Sequence, residues 1–237
     1  MPTGVLISGG LDSAVLLAEE ATRDDVQPIY VSVGFPWEAA EREALRHLLG
    51  HLHGARVRPL AALAVDMTDV HPARHWATAG EAPAYHTPDE DVYIPGRNIV
   101  LLGKAGVFCA LAHLDRLVIG TLDHNPFPDA TPAFRRTMAD ALSLGLAHRL
   151  EIDAPYARVG KADVIRRGHR LGVRLELTLS CMNATAAHGG FPLHCGVCSK
   201  CRERHDGFVE AGISDRTDYA DRRFTGDPQT TAPETAG

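Results

Sequence analysis

Apolar residues fall along the chain in short blocks whose period changes from one block to the next. Thr3–Ile7 ("TGVLI") is a continuous apolar run of strand length, and "SAVLLAEEA" (13–21), after a Gly-Gly turn, has the spacing of a helix. Val26–Val33 ("VQPIYVSV") predicts a second buried strand, and Glu38–Leu52 a helix with Leu45, Leu48, Leu49 and Leu52 on one face. A third strand is expected over Ala55–Ala61, a strongly apolar helix over Asn98–Leu114 and a strand over Arg116–Gly120. A helix over Ala133–Leu146, a strand over His148–Asp153 and a helix from Lys161 to Gly172 complete the series. Strands alternating with helices imply a parallel sheet covered on both faces, with ligands at the C-terminal ends of the strands.

Between residues 62 and 92 the pattern fails, with Pro72, Pro83 and Pro88 among polar residues, so this stretch reads as an insertion beside a site. The expected organisation is an α/β domain over 1–175, a cysteine-bearing segment over 176–222 packed on it, and a disordered Pro/Thr/Gly-rich tail over 223–237. The chain has 237 residues and a net charge of −6, which argues against a role in coating nucleic acid. No run reaches the roughly 18 apolar residues of a membrane span, and the start of the chain lacks signal-peptide character. A cytoplasmic protein is expected.

The first turn carries the chemistry. In "GVLISGGLDSAVLL" (4–17), Gly9 and Gly10 permit a tight turn and close approach of backbone amides to an anion, while Ser8 and Ser13 add hydroxyl donors. A Walker-type loop would place a lysine on the terminal phosphates; here there is none. The loop therefore suits pyrophosphate as a leaving group, with Asp12 positioned for magnesium. Strand–SGG-x-DS–helix is similar to the signature of the ATP pyrophosphatase (PP-loop) superfamily, which implies attack at the α-phosphate and an adenylated intermediate.

Four of the five cysteines lie close together in sequence: Cys181 in "TLSCMN", and Cys195, Cys198 and Cys201 in "LHCGVCSKCRER". Tight two-residue gaps allow the thiolates to converge, and four of them without an open position describe a structural zinc site of net charge about −2. Arg202 and Arg204 are placed to offset that charge, and His194 is a less favoured ligand. An iron–sulfur cluster is the competing occupant of the same spacing. Cys109, in "GVFCALA", reads as a buried core thiol.

Taken in order, "SGGLDS", "IPGRN" (94–98), "VIGTLDHNPFPD" (118–129), Lys161, "TLSC" and "HCGVCSKCRER" resemble the 7-cyano-7-deazaguanine synthase (QueC) family over about residues 3–220. The resemblance implies a Rossmann-like fold of the adenine nucleotide alpha hydrolase type with a small C-terminal zinc-binding segment, usually homodimeric. It implies an ATP-dependent carbon–nitrogen ligase that adenylates 7-carboxy-7-deazaguanine, takes ammonia to the amide, and dehydrates the amide to the nitrile for queuosine-type biosynthesis. ATP, Mg²⁺ and Zn²⁺ are the expected cofactors; a small carboxylate and ammonia are the expected partners, with no stable nucleic-acid partner and no membrane.

Carried onto this chain, Ile7, Ser8, Gly9, Gly10, Leu11, Asp12 and Ser13 hold the nucleotide phosphates and magnesium. Asn98 and Asp123 are added to the nucleotide site, and Asp12, Ser13, Arg97 and Lys161 are the expected catalytic set. Arg97 suits a phosphate or carboxylate clamp, its alternative being a solvated side chain beside an Asn98 helix cap. Lys161 would neutralise an adenylate or substrate carboxylate. The chain departs from the family at two places. Gly34-Phe35-Pro36-Trp37 stands where the family usually reads Gly-Gln-Arg-His, and Ala130-Thr131 where it reads Cys-Arg, with Arg135 and Arg136 as candidate substitutes. These departures admit an alternative in which a different acid or amine is joined and the product is an amide or conjugate. Two further alternatives are an iron–sulfur tRNA-thiolating enzyme and a non-catalytic nucleotide-binding zinc module.

Overall fold

Strand β1 (Thr3–Leu6) sits at the middle of a five-stranded parallel sheet. It pairs with β2 (Val26–Ser32) on one side and with β4 (Arg116–Val118) on the other. Strand β3 (Ala61–Ala64) lies outside β2, and β5 (Glu151–Asp153) outside β4. The order is thus β3-β2-β1-β4-β5, and the chain reverses its direction of winding between β1 and β4. A crevice opens at such a switch, beyond the C-terminal ends of the strands, and the turn after β1 feeds into it. The computed structural model describes residues 2–52, 56–185 and 190–224.

Side-chain alternation along the strands divides the core in two. Val5, Ile7, Tyr30 and Val118 face one layer, made by α1 (Leu11–Ala21), α2 (Glu38–His51), α6 (Lys161–Arg170) and α7 (Ser199–Ala211). Leu6, Ile29, Val31 and Leu117 face the other, made by α4 (Arg97–Leu111) and α5 (Pro132–Leu146). The expected doubly covered sheet is present. Cys109 is fully buried in the second layer, where burial pushes its thiol up to about 12, as befits a core residue.

The third strand is displaced from its expected place. Val57 makes only an isolated bridge to Val26, and the continuous ladder begins at Ala61. Pro59 lies between them and has no amide to donate; its carbonyl instead accepts a bond from the Gln27 side chain at 2.7 Å. Ala55 falls outside the described residues. Strand β5 starts only at Glu151, because the Leu150 amide is taken by the Ser143 hydroxyl at 3.0 Å.

The segment 62–92 begins with the end of β3 and continues through the single-turn helix α3 (Trp76–Ala79) and a 3-10 turn at Asp89–Val92. Phe35 and Trp37, the aromatic residues of the first departure, are buried against it with Met67, Ala77 and Ile94. Trp37 stacks on Trp76 with centroids 5.6 Å apart. Helix α7 carries no strong apolar stripe, and it packs on α6 through Gly207 and Phe208. Of the expected tail, Arg223 pairs with Asp221 at 2.6 Å and Phe224 stacks on Tyr85 at 4.0 Å; residues 225–237 fall outside the described residues.

Candidate active site

The turn from β1 into α1 is built by its own hydroxyls. Ser13 Oγ donates to the Gly10 carbonyl at 3.0 Å and accepts from the Ser8 amide at 3.3 Å; Ser8 Oγ accepts from the Gly10 amide at 3.3 Å. Gly9 holds φ +79°, and a Cβ there would sit 3.0 Å from the Glu41 carbonyl, so the turn closes only around glycine. Gly10 caps α1 without a side-chain acceptor, which leaves first-turn amides available to an anion.

This turn forms one wall of a cavity of about 320 Å³ at the C-terminal ends of β1, β2 and β4. Of the residues expected at the site, Ile7, Ser8, Gly10, Leu11, Asp12, Ser13, Arg97, Asn98 and Lys161 line it. Asp123 does not: its carboxylate accepts from the exposed neighbouring His124 amide at 2.9 Å. Arg135 and Arg136 do not either. They line a separate groove between α5 and β5, and Arg135 turns back to donate to the Ala130 carbonyl at 2.6 Å. Thr131 caps α5 by accepting from the Phe134 amide.

Asp12, Lys161, Glu203 and Lys200 form a line of alternating charge. Lys161 Nζ lies 2.8 Å from Asp12 Oδ2 and 3.1 Å from Glu203 Oε1, and Lys200 Nζ lies 2.7 Å from Glu203 Oε2. Burial pushes the Asp12 carboxyl up, against the pull of Lys161. Although burial works against its charge, Lys161 is held above the usual lysine range by Asp12 and Glu203. Asp12 Oδ1 is buried and has no partner among the described residues. An unpaired buried carboxylate oxygen beside a phosphate-type turn suits a hard cation.

Across the cavity, Arg97 forms no ion pair or side-chain hydrogen bond among the described residues, and its Nε is buried. Asn98 donates from its backbone amide to Asp129 Oδ2 at 3.2 Å and from its side chain to the Asp129 carbonyl at 3.2 Å. The cap on α4 is therefore Asp129, not Asn98, and it fixes the helix start that presents Arg97. Tyr93 and Phe127 stack at 5.0 Å on the same wall.

Glu41 is a candidate site residue that sequence reasoning missed. It lies on α2, lines the cavity, and accepts one hydrogen bond, from the Tyr30 hydroxyl at 3.0 Å. Burial, opposed by Arg97, pushes its carboxyl up to about 7. In sequence it looks like one more first-turn acid of a helix. Tyr30 sits inside an apolar strand, and Lys200 and Glu203 are masked by the cysteines around them; only the closeness of Glu41 to the end of β2 offered a signal.

The four cysteines meet behind this cavity. Their Sγ atoms all lie within 4.8 Å of one another, at 3.9 Å for Cys195–Cys201, 4.0 Å for Cys181–Cys198 and 3.5 Å for Cys198–Cys201. A tetrahedral zinc with bonds of about 2.3 Å has ligand edges of about 3.8 Å, which these spacings match. Gly196, at φ +80°, makes the knuckle possible: a Cβ there would fall 1.8 Å from the Asp221 carbonyl oxygen. His194 Nε2 accepts from the Ser180 amide at 3.1 Å and is not a fifth ligand.

The charge balance fits a metal as well. Arg204 is fully buried; its guanidinium donates to the neutral oxygens of Thr217, Thr178, Ser180 and Leu175 at 2.7–3.3 Å, lies over the Phe208 ring, and forms no ion pair among the described residues. A buried cation without a carboxylate partner is costly, and an anionic tetrathiolate centre nearby offsets it. Arg202 does not share this role, since it pairs with Asp89 at 3.2 Å.

A sequence model of the family described as "Queuosine biosynthesis protein QueC" matches residues 3–212. A protein named 7-cyano-7-deazaguanine synthase from Azoarcus sp. (strain BH72) is 34% identical over 233 residues, covering 92% of this chain and 96% of its own. One of the same name from Methylococcus capsulatus is 34% identical over 238 residues, covering 92% and 98%. A solved structure, titled as that of a predicted subunit of tRNA methyltransferase from Methanocaldococcus jannaschii, covers 94% of each chain at 15% identity with a TM-score of 0.44. That likeness is too loose to bear on activity. Among the described residues no helix is long and apolar enough to cross a membrane.

Proposed function

Because this chain belongs to the QueC family, we propose that it is an ATP-dependent carbon–nitrogen ligase that makes 7-cyano-7-deazaguanine from 7-carboxy-7-deazaguanine. The observation that carries this reading is one cavity with two separate anion sites, the amide-lined turn at Ser8–Ser13 and the unpaired guanidinium of Arg97.

In the first step a carboxylate oxygen of the acid attacks the α-phosphorus of ATP. An oxygen–phosphorus bond forms, the bond to pyrophosphate breaks, and pyrophosphate departs on the turn amides and the Ser8 hydroxyl, while Ser13 holds the turn. Arg97 orients the attacking carboxylate by its planar donor pair. Ammonia then attacks the acyl carbon, AMP leaves with the carbon–oxygen electrons, and the amide remains. In a second activation the amide oxygen attacks the α-phosphorus of another ATP, pyrophosphate departs and one N–H proton passes to solvent. The second N–H proton is then lost, the carbon–oxygen bond breaks to release AMP, and the nitrile remains.

Asp12 would hold magnesium through Oδ1, where the ion supplies charge neutralisation to the pyrophosphate moiety, while Lys161 keeps the carboxylate aimed. Cys181, Cys195, Cys198 and Cys201 would hold zinc in a closed structural shell. Asn98, its side-chain amide donating to Asp129, lines the cavity for the nucleotide or acid, and Tyr93 and Phe127 offer a flat apolar face to a planar ring. The protein works in the cytoplasm as a homodimer with a small carboxylate and ammonia as its partners, in queuosine-type biosynthesis.

Incubation of the purified protein with ATP, Mg²⁺, ammonium and the acid tests the reading by mass spectrometry. Amide followed by nitrile, with AMP, is the expected outcome; absence of both at every ammonium level overturns it. A second reading keeps adenylation but changes the acid or amine. It draws on Trp37, which lines the cavity where the family pattern is basic and polar, and it predicts amide or conjugate without nitrile.

A further inference from the structure

The cavity contains a carboxylate that activation of the acid does not use. Glu41 stands one helical turn after Trp37 on α2, and both residues line the cavity. Its neighbour Glu38 is fully engaged, accepting from the Val33 amide at 2.7 Å and from the Ser32 hydroxyl, and so closes the loop after β2. Glu41 is engaged only at Oε2, by Tyr30; Oε1 has no hydrogen-bond partner among the described residues and opens on accessible space.

We propose that Glu41 and the Trp37 ring form the ammonium subsite, in which Glu41 Oε1 binds the ion and takes one of its protons. The inference rests on the acyl-adenylate reading above and names the residues that deliver the nitrogen. The Glu41 carboxylate supplies the charge that holds a cation, and Trp37, its ring stacked on Trp76, lends an apolar wall to the same cavity. Within it, an N–H bond of ammonium breaks, the proton passes to Glu41, and the freed lone pair attacks the acyl carbon. A carbon–nitrogen bond forms, the carbon–oxygen bond to AMP breaks, the excess proton on nitrogen goes to the departing phosphate, and Glu41 returns its own proton to water.

The groups that face Glu41 set its titration. Tyr30 of β2 donates to it, Arg97 of α4 favours its charged form, Arg42 of its own helix does the same, and Glu38 opposes it. Burial outweighs the cations and pushes the carboxyl up to about 7, which makes it a stronger proton acceptor for ammonium than an ordinary carboxylate.

The test compares wild type with Glu41→Gln, which preserves shape and keeps an acceptor for Tyr30. The expected result is a KM for ammonium raised about tenfold or more, against a much smaller change in KM for ATP. In the wild type the pH profile of the ammonium KM bends near 7, where Glu41 titrates; in the variant, which draws on free ammonia, the KM falls steadily with rising pH and has no bend there. Equal KM values for ammonium in the two proteins, or the same pH dependence in both, overturn the proposal. Acid-dependent pyrophosphate release by the variant reports a folded site. A wild type that releases pyrophosphate but never forms amide overturns the acceptor reading itself, a result distinct from failure of the Glu41 assignment.

Discussion

Lys161 Nζ sits between two carboxylates, 2.8 Å from Asp12 and 3.1 Å from Glu203, and so joins the first turn of α1 to α7 across the whole chain. Asp12 belongs to the phosphate-type turn, whereas Glu203 lies between Cys201 and Arg204 in the cysteine-bearing segment. The candidate nucleotide turn is therefore tied by a salt bridge whose far end lies beside the candidate metal centre.

Asp12→Asn keeps the shape of the side chain but removes the charge that would hold magnesium. Turnover is expected to fall by roughly 10²–10³-fold, the scale of losing one preorganised electrostatic contact. Pyrophosphate release measured across a magnesium titration checks it. Lys161→Met is expected to reduce turnover as well, by releasing Asp12 and Glu203 from their shared cation.

Cys198→Ser is expected to lose the bound metal and with it the support of buried Arg204. An uncompensated buried charge costs about 3–5 kcal/mol, which lowers the melting temperature of a chain this size by roughly 10 °C. Metal analysis and thermal unfolding read the two effects together. One tetrahedral zinc per chain and no visible absorption are expected; a brown protein with iron and sulfide would instead support the thiolation alternative.

Glu41 gives the fold a pH signature. Its carboxyl is pushed up by burial to about 7 in the folded protein, above the ordinary glutamate range, so the folded state binds the extra proton. That contribution to stability is complete below the unfolded value and is lost as pH rises through about 7. Relative to wild type, Glu41→Gln should gain stability between pH 5 and 8, on the order of 2 kcal/mol. Denaturant unfolding at the two pH values measures it.

Arg97→Lys keeps the charge but loses the planar fork. The KM for the acid is expected to rise about tenfold or more, with KM for ATP changed less, in steady-state kinetics with each substrate varied.

The strand–turn–helix at the start of the chain was legible because its apolar run, glycines and hydroxyls are contiguous and depend only on local backbone chemistry. The cysteine centre was legible for the same reason, since ligand spacing in sequence limits geometry in space. Strand β3 was misplaced because Pro59 moves the ladder onto Ala61–Ala64, whose composition carries no strand signal. Glu41, Tyr30 and Glu203 were invisible because each draws its meaning from a partner brought near only by the fold. Asp123 shows the converse: a carboxylate one turn beyond a buried strand that the chain directs to solvent.

The central claim, attack on the α-phosphorus by a carboxylate, is tested most directly by labelling the acid's carboxylate with heavy oxygen. Mass spectrometry of the products should then find one labelled oxygen in AMP and none in pyrophosphate. ADP as product, or label appearing in inorganic phosphate, would contradict the account.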